Sequence, residues 1–309
     1  MKICSLLPSA TEILYLIGAG DNVVGVTHEC DFPPEARSKP IVVKSLISHD
    51  AHNSREVDRM VREALRNQQS LYTVDVERIA TLAPEIIITQ DLCEVCAIDQ
   101  RQILRAFAHL PSKPEIVSLH PHTLEDVLQN ILRVGGATGH TVQATAVVTQ
   151  LRQRIAAVRR QVAQATSVPR VVCLEWLEPL MNAGHWVPEM VKLAGGIEPL
   201  SRIGEPSVRI TWEDVMRVEP QILVLMPCGF SIERATRELD VLTRRPGWSD
   251  VPAVRDGRVY LTDASAYYNR SGPRLVEGLE ILAELIHPEL CHHLIPAGAV
   301  KALTEIASA

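Results

Sequence analysis

Cys93-Glu-Val-Cys96 sets two thiols at a spacing from which both sulfurs can reach one tetrahedral metal ion. Cys30, Cys228 and the imidazoles of His28 and His185 are available to complete such a set, and thiolates suit zinc or an iron–sulfur cluster. The alternative is a pair of small, half-buried thiols without a metal. A dithiol redox role fits less well, because Glu94 opposes formation of a thiolate on either side of it. Cys4 and Cys173 fall inside apolar runs and are expected in the core. Cys291, beside His292 and His293 near the carboxyl end, is expected in an exposed loop.

A second constellation is aromatic. Only 4% of the residues are Phe, Trp or Tyr, so their placement is informative. Trp176, Phe230 and the pair Tyr267-Tyr268 follow apolar runs, and Trp186 stands beside His185 at the start of a helical stretch. Taken singly, each Trp is well explained by core packing. Taken together, flat side chains from both halves of the chain suit a large planar macrocycle. His28, Asp91, Gly229, Asn269 and Arg270 would then address its polar edge. His185 has two readings: a neutral imidazole able to ligate cobalt, iron or zinc, or a hydrogen-bonded residue at a helix start.

Catalytic signatures are weak. The sequence carries no Gly-x-Ser-x-Gly elbow, phosphate-binding loop or dinucleotide fingerprint. His28, Glu29 and Asp31 can be assembled into an acid–base site, but nothing in their spacing requires it. Binding, not catalysis, is the expectation.

These residues need elements to hold them. Short β-branched runs at 2–6, 23–27, 85–89 and 115–118, and again at 170–174, 222–225 and 258–261, alternate with helical stretches. That alternation predicts an α/β protein with mainly parallel sheets flanked by helices. Cys30, Cys93, Cys96 and Cys228 then lie in loops at strand carboxyl ends, where α/β folds place their ligands. Between the two halves, apolar residues at Val147, Leu151, Ile155, Val158 and Val162 mark one stripe of a helix over 141–165, roughly 37 Å long at ~1.5 Å per residue. Gly135, Gly136 and Gly139 break the chain before it and Pro169 follows it. Its arginines, Arg152, Arg154, Arg159 and Arg160, find no acid within the stretch and read as a solvated face.

The halves repeat one another. Glu77-Arg-Ile-Ala-Thr-Leu-Ala-Pro84 and Glu213-Asp-Val-Met-Arg-Val-Glu-Pro220 each open a short helix with an acid, close it with proline and run into a buried strand. Thr11-Glu-Ile-Leu-Tyr-Leu-Ile-Gly18 and Pro188-Glu-Met-Val-Lys-Leu-Ala-Gly195 form a second matching pair. Two lobes of one design are expected, at residues 1–134 and 169–309, joined by a linker at 135–168 that carries the long helix, with the ligand cleft between the lobes.

Composition sets the class. With 31 basic and 37 acidic residues the net charge is −6 and no basic block is present, which excludes a nucleic-acid binder. Apolar content of 46% and charged content of 22% are those of a globular chain, and no run approaches the ~18 apolar residues of a membrane span. The apolar start is interrupted by Pro8, Ser9, Thr11 and Glu12 and reads as mature protein, not as a leader. Seven cysteines, an odd number, argue for free thiols in a reducing cytosol; a leader removed beforehand would place the protein in the periplasm instead.

The opening Ser5-Leu-Leu-Pro-Ser-Ala-Thr-Glu-Ile-Leu, the paired Glu-x-[Ile/Val]-x4-Pro segments, the central helix and Gly184-His-Trp-Val-Pro-Glu-Met-Val-Lys-Leu-Ala-Gly-Gly resemble the helical-backbone periplasmic binding proteins of ABC importers, most nearly the cobalamin-binding ones. The resemblance covers nearly the whole chain. It implies cobalamin, heme or an iron-siderophore as ligand, and with the flat side chains a tetrapyrrole-like one, cobalamin or another corrinoid, is the best fit; the rigid central helix is expected to allow only a small hinge motion, so the cleft is largely preformed. The resemblance also implies that Glu77 and Glu213 dock onto an ABC permease, although both would equally be first-turn acids favoured by the helix dipole. The competing expectation is a metalloprotein holding zinc or an iron–sulfur cluster on Cys30, Cys93, Cys96 and Cys228.

Overall fold

The computed structural model describes residues 1–47, 51–90 and 113–306. The chain opens with β1 (Ile3–Ser5), α1 (Pro8–Leu16), β2 (Val23–Thr27), β3 (Ile41–Ser45), α2 (Ser54–Arg66), β4 (Tyr72–Val74), α3 (Val76–Leu82), β5 (Ile86–Gln90) and β6 (Glu115–Leu119). Then α4 (Leu124–Ala137) and α5 (Thr141–Val162) lead to β7 (Val171–Leu177), β8 (Leu180–Asn182), α6 (Val187–Leu193) and α7 (Trp212–Arg217). The remainder is β9 (Ile222–Leu225), α8 (Ile232–Thr236), β10 (Val259–Thr262), α9 (Leu275–Ile286) and β11 (Val300–Ala302), with single helical turns in the connections.

Each lobe is built on one sheet. The first has the order β4-β3-β2-β1-β5-β6 and is parallel except for β4. The second has the order β11-β10-β9-β7-β8, with a parallel centre and antiparallel strands at both edges. Helices cover both faces of a parallel sheet, so its central strands are mostly apolar; every residue of β5 and β9 is buried, Thr89 and Gln90 included. The seven expected strands are present. The short edge strands β4, β8 and β11 and the strand β3 are additions.

The internal repeat is physical. Asp75 caps α3 by accepting from the Arg78 amide (2.9 Å), and Thr211 caps α7 by accepting from the Asp214 amide (3.1 Å). In both lobes the residue before the terminating proline, Ala83 or Glu219, turns left-handed, at φ +47° and +45°. No helix or strand separates α6 from α7, whereas the corresponding interval of the first lobe holds β2, β3, α2 and β4.

The central helix α5 packs on α4 and α9. Two expectations about it need correction. Gly135 and Gly136 do not break the chain but lie inside the last turn of α4; a Cβ added at Gly135 would stand 2.3 Å from Ala144 Cβ, so this glycine lets the two helices approach closely. The break comes at Gly139, with φ +75°. The arginines of α5 are not all solvated either. Arg152 pairs with Glu125, and Arg154 makes a fork to Glu280 of α9 at 2.8 and 2.6 Å.

The lobes share their cores. On α4, Leu124 and Val127 pack into the second lobe, while Leu128, Ile131 and Val134 pack into the first. Val276 of α9 returns the exchange by joining the core of the first lobe. Among the described residues no helix is long and apolar enough to cross a membrane.

Candidate functional site

Loops that follow β1, β2 and β6 meet loops of the second lobe, and three groups of contacts define the junction. In the first, Glu12 of α1 is buried and receives Arg274 as a fork, Nε to Oε2 at 3.0 Å and Nη2 to Oε1 at 2.6 Å. Arg270 lies beside it, donating to Asp31 Oδ1 (2.5 Å) and to the Glu29 carbonyl (3.0 Å). Burial pushes the Asp31 carboxyl up, but the hydrogen bond and charge of Arg270 prevail and hold it below its ordinary range. Arg274 also lies 4.2 Å from the Phe32 ring centre and 5.9 Å from that of Tyr267.

The second group surrounds His185. This residue adopts φ +53°, a left-handed conformation uncommon outside glycine, and is pinned on both sides: its amide donates to the Glu205 carbonyl (2.6 Å) and its carbonyl accepts from Gly204 (2.9 Å). Glu175 braces the loop by accepting from the Gly184 amide and the Ser207 hydroxyl, each at 3.1 Å. Gly184 must be glycine here, since a Cβ would fall 2.2 Å from the Ser207 nitrogen. The His185 ring faces His122 of the first lobe edge-on, with centres 6.1 Å apart. Burial, and then the neighbouring His122, hold the His185 pKa below the usual imidazole range, so the ring is neutral at pH 7. Its Nδ1 is buried without a hydrogen-bond partner, and so is Asn269 Oδ1. The bond from Trp186 Nε1 to the Tyr268 carbonyl (2.7 Å) ties the loops carrying these two atoms together. Two buried polar atoms without partners thus stand on adjoining loops, an exception to the usual pairing of buried polar groups.

The third group is α2, which leaves its own lobe and packs on β7 and α8 of the other; Val57 shares a core with Trp176, Phe230 and Leu239. The amide of Ser54 donates to both oxygens of Glu238 at 3.0 Å, and the Trp176 indole donates to the Ser54 carbonyl at 3.2 Å.

Not every expected site residue is free to meet a ligand. Trp176, Trp186, Phe230 and Tyr268 are buried, with Phe230 wholly enclosed and Trp176 against it at 5.2 Å between ring centres. In this conformation they back the junction instead of lining it, because their faces are taken up by core packing. Tyr267, His185 and Asn269 are half-buried, and His28 and Gly229 are exposed. Arg270 spends its donors on the first lobe. Asp91, Cys93 and Cys96 lie outside the described residues.

The expected metal set finds no support. Cys30 sits in the core of the first lobe, with its sulfur accepting from the Thr11 hydroxyl (3.0 Å) and the Thr27 amide (3.4 Å). Burial pushes this thiol up in spite of those hydrogen bonds, which works against a ligating thiolate. Cys228 packs against the apolar core of the second lobe. Among the described residues no group of three or more His, Cys, Asp or Glu could hold an ion. Cys4 and Cys173 are core residues, as expected; Cys291 is not exposed but fully buried.

Glu12, Arg274, His122, Glu175 and the whole of α2 escape a reading of the sequence. A buried carboxylate inside an apolar helix, Glu12 in Ala-Thr-Glu-Ile-Leu, was the available signal, since such a charge requires a partner.

Comparison with known proteins adds the following. The sequence model of the family described as "Periplasmic binding protein" matches residues 3–266. The chain is 24% identical over 288 residues to the vitamin B12-binding protein of Photorhabdus laumondii, covering 93% of this chain and 88% of that one. It is 24% identical over 296 residues to the ABC transporter substrate-binding lipoprotein YvrC of Bacillus subtilis, covering 93% and 80%. Its fold is similar to that of the periplasmic heme-binding protein RhuT from Roseiflexus sp. RS-1, with a TM-score of 0.69, 24% identity and coverage of 93% and 98%.

Proposed function

The chain belongs to the periplasmic binding protein family, and from that premise we propose that it captures a corrinoid, cobalamin first among them, in the cleft between its lobes. The family is one of ligand carriers, so the chemistry required is recognition and release. The observation that carries the reading is similarity, along 93% of the chain, to a protein named for binding vitamin B12. The orphaned atoms of His185 and Asn269 support it, since a corrin ring presents an amide-rich edge to such groups. His28 and Tyr267 complete the polar rim in this reading, with Arg270 entering it through Asp31 and Glu29, which it holds; Asp91, assigned to the rim from the sequence, lies outside the described residues. The buried Trp176, Trp186, Phe230 and Tyr268 stiffen it from behind, and Gly229 leaves the backbone open beside them.

Heme is the second reading. It is favoured by one observation, the neutral His185 ring facing His122 across the lobes, an arrangement that offers an axial ligand to iron. Glu77 and Glu213, exposed in the first turns of α3 and α7, are in this proposal the contacts to an ABC permease. A reducing cytosol, read from the cysteine count, gains no support from a family described as periplasmic.

The test is an absorption spectrum of the purified protein after incubation with cobalamin and desalting, with heme in a parallel sample. Cobalamin retained at about one per chain is the expected result. Cobalamin lost while heme is retained, with a Soret band altered in His185→Ala, would replace the first reading by the second.

A further inference from the structure

We propose that α2 is a strap that holds the lobes shut and must release before the cleft opens; this rests on the reading of the protein as a macrocycle carrier. Among the described residues the stem of the helix joins the first lobe where the Leu46 amide donates to the Leu71 carbonyl at 2.9 Å. An open groove of about 270 Å³, lined by Leu46, Met60, Ala64, Gln69 and Leu71, runs between the helix and that stem. The apolar side of α2 shares one core with Ile47 and Leu71 of the stem and with the other lobe. Val57 is buried among side chains of β7 and α8.

Polar contacts fix the position. At the amino end, Glu238 accepts the Ser54 amide with both oxygens, and Arg234 donates from Nη2 to Glu238 and to the His52 carbonyl, each at 2.5 Å. Arg234 and Glu238 are themselves buried, so this is a built receptor for a helix start. Farther along, Asp58 pairs with Arg209 at 2.7 Å and Arg55 with Glu178 at 3.4 Å. Arg209 stands two residues before the cap of α7, and β4 runs from the other end of α2 directly into α3. The strap therefore spans the two helices that carry Glu77 and Glu213. A permease that draws these helices apart would pull on α2 and free the ligand. The second lobe has no helix in the matching interval, so the device is one-sided.

The experiment compares the full-length wild type with Glu238→Gln and with Arg209→Ala, whose side chain is half-exposed. Backbone hydrogen exchange is followed in α2, β7 and β9 without added ligand, and release of cyanocobalamin is followed by absorbance. A strap predicts that Glu238→Gln speeds exchange in α2 at least tenfold with β7 and β9 unchanged, that Arg209→Ala speeds it severalfold, and that release accelerates in the same order. Unchanged exchange in α2 in Arg209→Ala overturns the strap even if Glu238→Gln disturbs the second lobe. Freed α2 with unaltered cobalamin release also overturns it as a gate. If cobalamin is not retained by the wild type, the carrier reading fails separately, and tenfold faster exchange confined to α2 still upholds the latch between the lobes.

Discussion

At the scale of single residues, charge and burial decide roles that residue type leaves open. Cys30 and His185 both stand in loops beyond strands, yet one is a core thiol bound by two threonines and the other an imidazole with an orphaned nitrogen. Their local sequences did not separate them, because the difference lies in partners distant along the chain. His185→Asn keeps a residue tolerant of left-handed backbone while removing the imidazole. It is expected to leave the melting temperature unchanged and to weaken cobalamin binding about tenfold in a spectroscopic titration, the worth of ~1.4 kcal/mol. Glu198 is a second case. Burial pushes its carboxyl up to about 8, although it accepts amide hydrogen bonds from Cys173 (2.7 Å) and Leu200 (3.0 Å). The folded protein thus holds a proton that the unfolded chain loses above its ordinary value of 4.5, so this group lowers stability as pH rises from about 4.5 to 8. Thermal melts across that window should show a shallower decline in Glu198→Gln than in the wild type.

At the scale of elements, periodicity was a good guide wherever burial was symmetric. The parallel strands and the stripe of α5 were legible because apolar residues recur on the faces that sheets and helices bury. The edge strands β4, β8 and β11 were not, being only three residues long, with β4 and β11 half-exposed besides. Nor was α2, whose charged face dominates Ser-Arg-Glu-Val-Asp-Arg and whose apolar face answers to another lobe. Glycine in α4 taught the opposite lesson, since it serves contact and not interruption. Gly135→Leu should cost about 1–3 kcal/mol by overpacking against Ala144, measured by urea denaturation. Thr211→Ala, which removes the cap of α7, should cost about 1 kcal/mol in the same measurement.

At the scale of the whole molecule, the repeat made two lobes legible but said nothing of how firmly they are joined. Besides the contacts of α2, that firmness comes from Glu12 with its two arginines, from α4 shared between cores, and from Glu189 of α6 accepting the Leu124 amide at the start of α4 (2.8 Å). Glu12→Ala leaves two largely buried guanidinium groups with less counter-charge and should lower stability by about 3–5 kcal/mol in denaturant titrations. Glu77→Arg combined with Glu213→Arg, both at exposed positions, should keep cobalamin affinity within about twofold and abolish retention on permease-containing vesicles. The reach of the Glu12 contact also bears on how the chain is made. Arg274 lies 262 residues beyond Glu12, so a ribosome delivering ~5–20 residues per second exposes α1 for tens of seconds before its partner emerges. The first lobe therefore leaves the exit tunnel with an unanswered carboxylate against its apolar interior, and its maturation belongs to the end of synthesis.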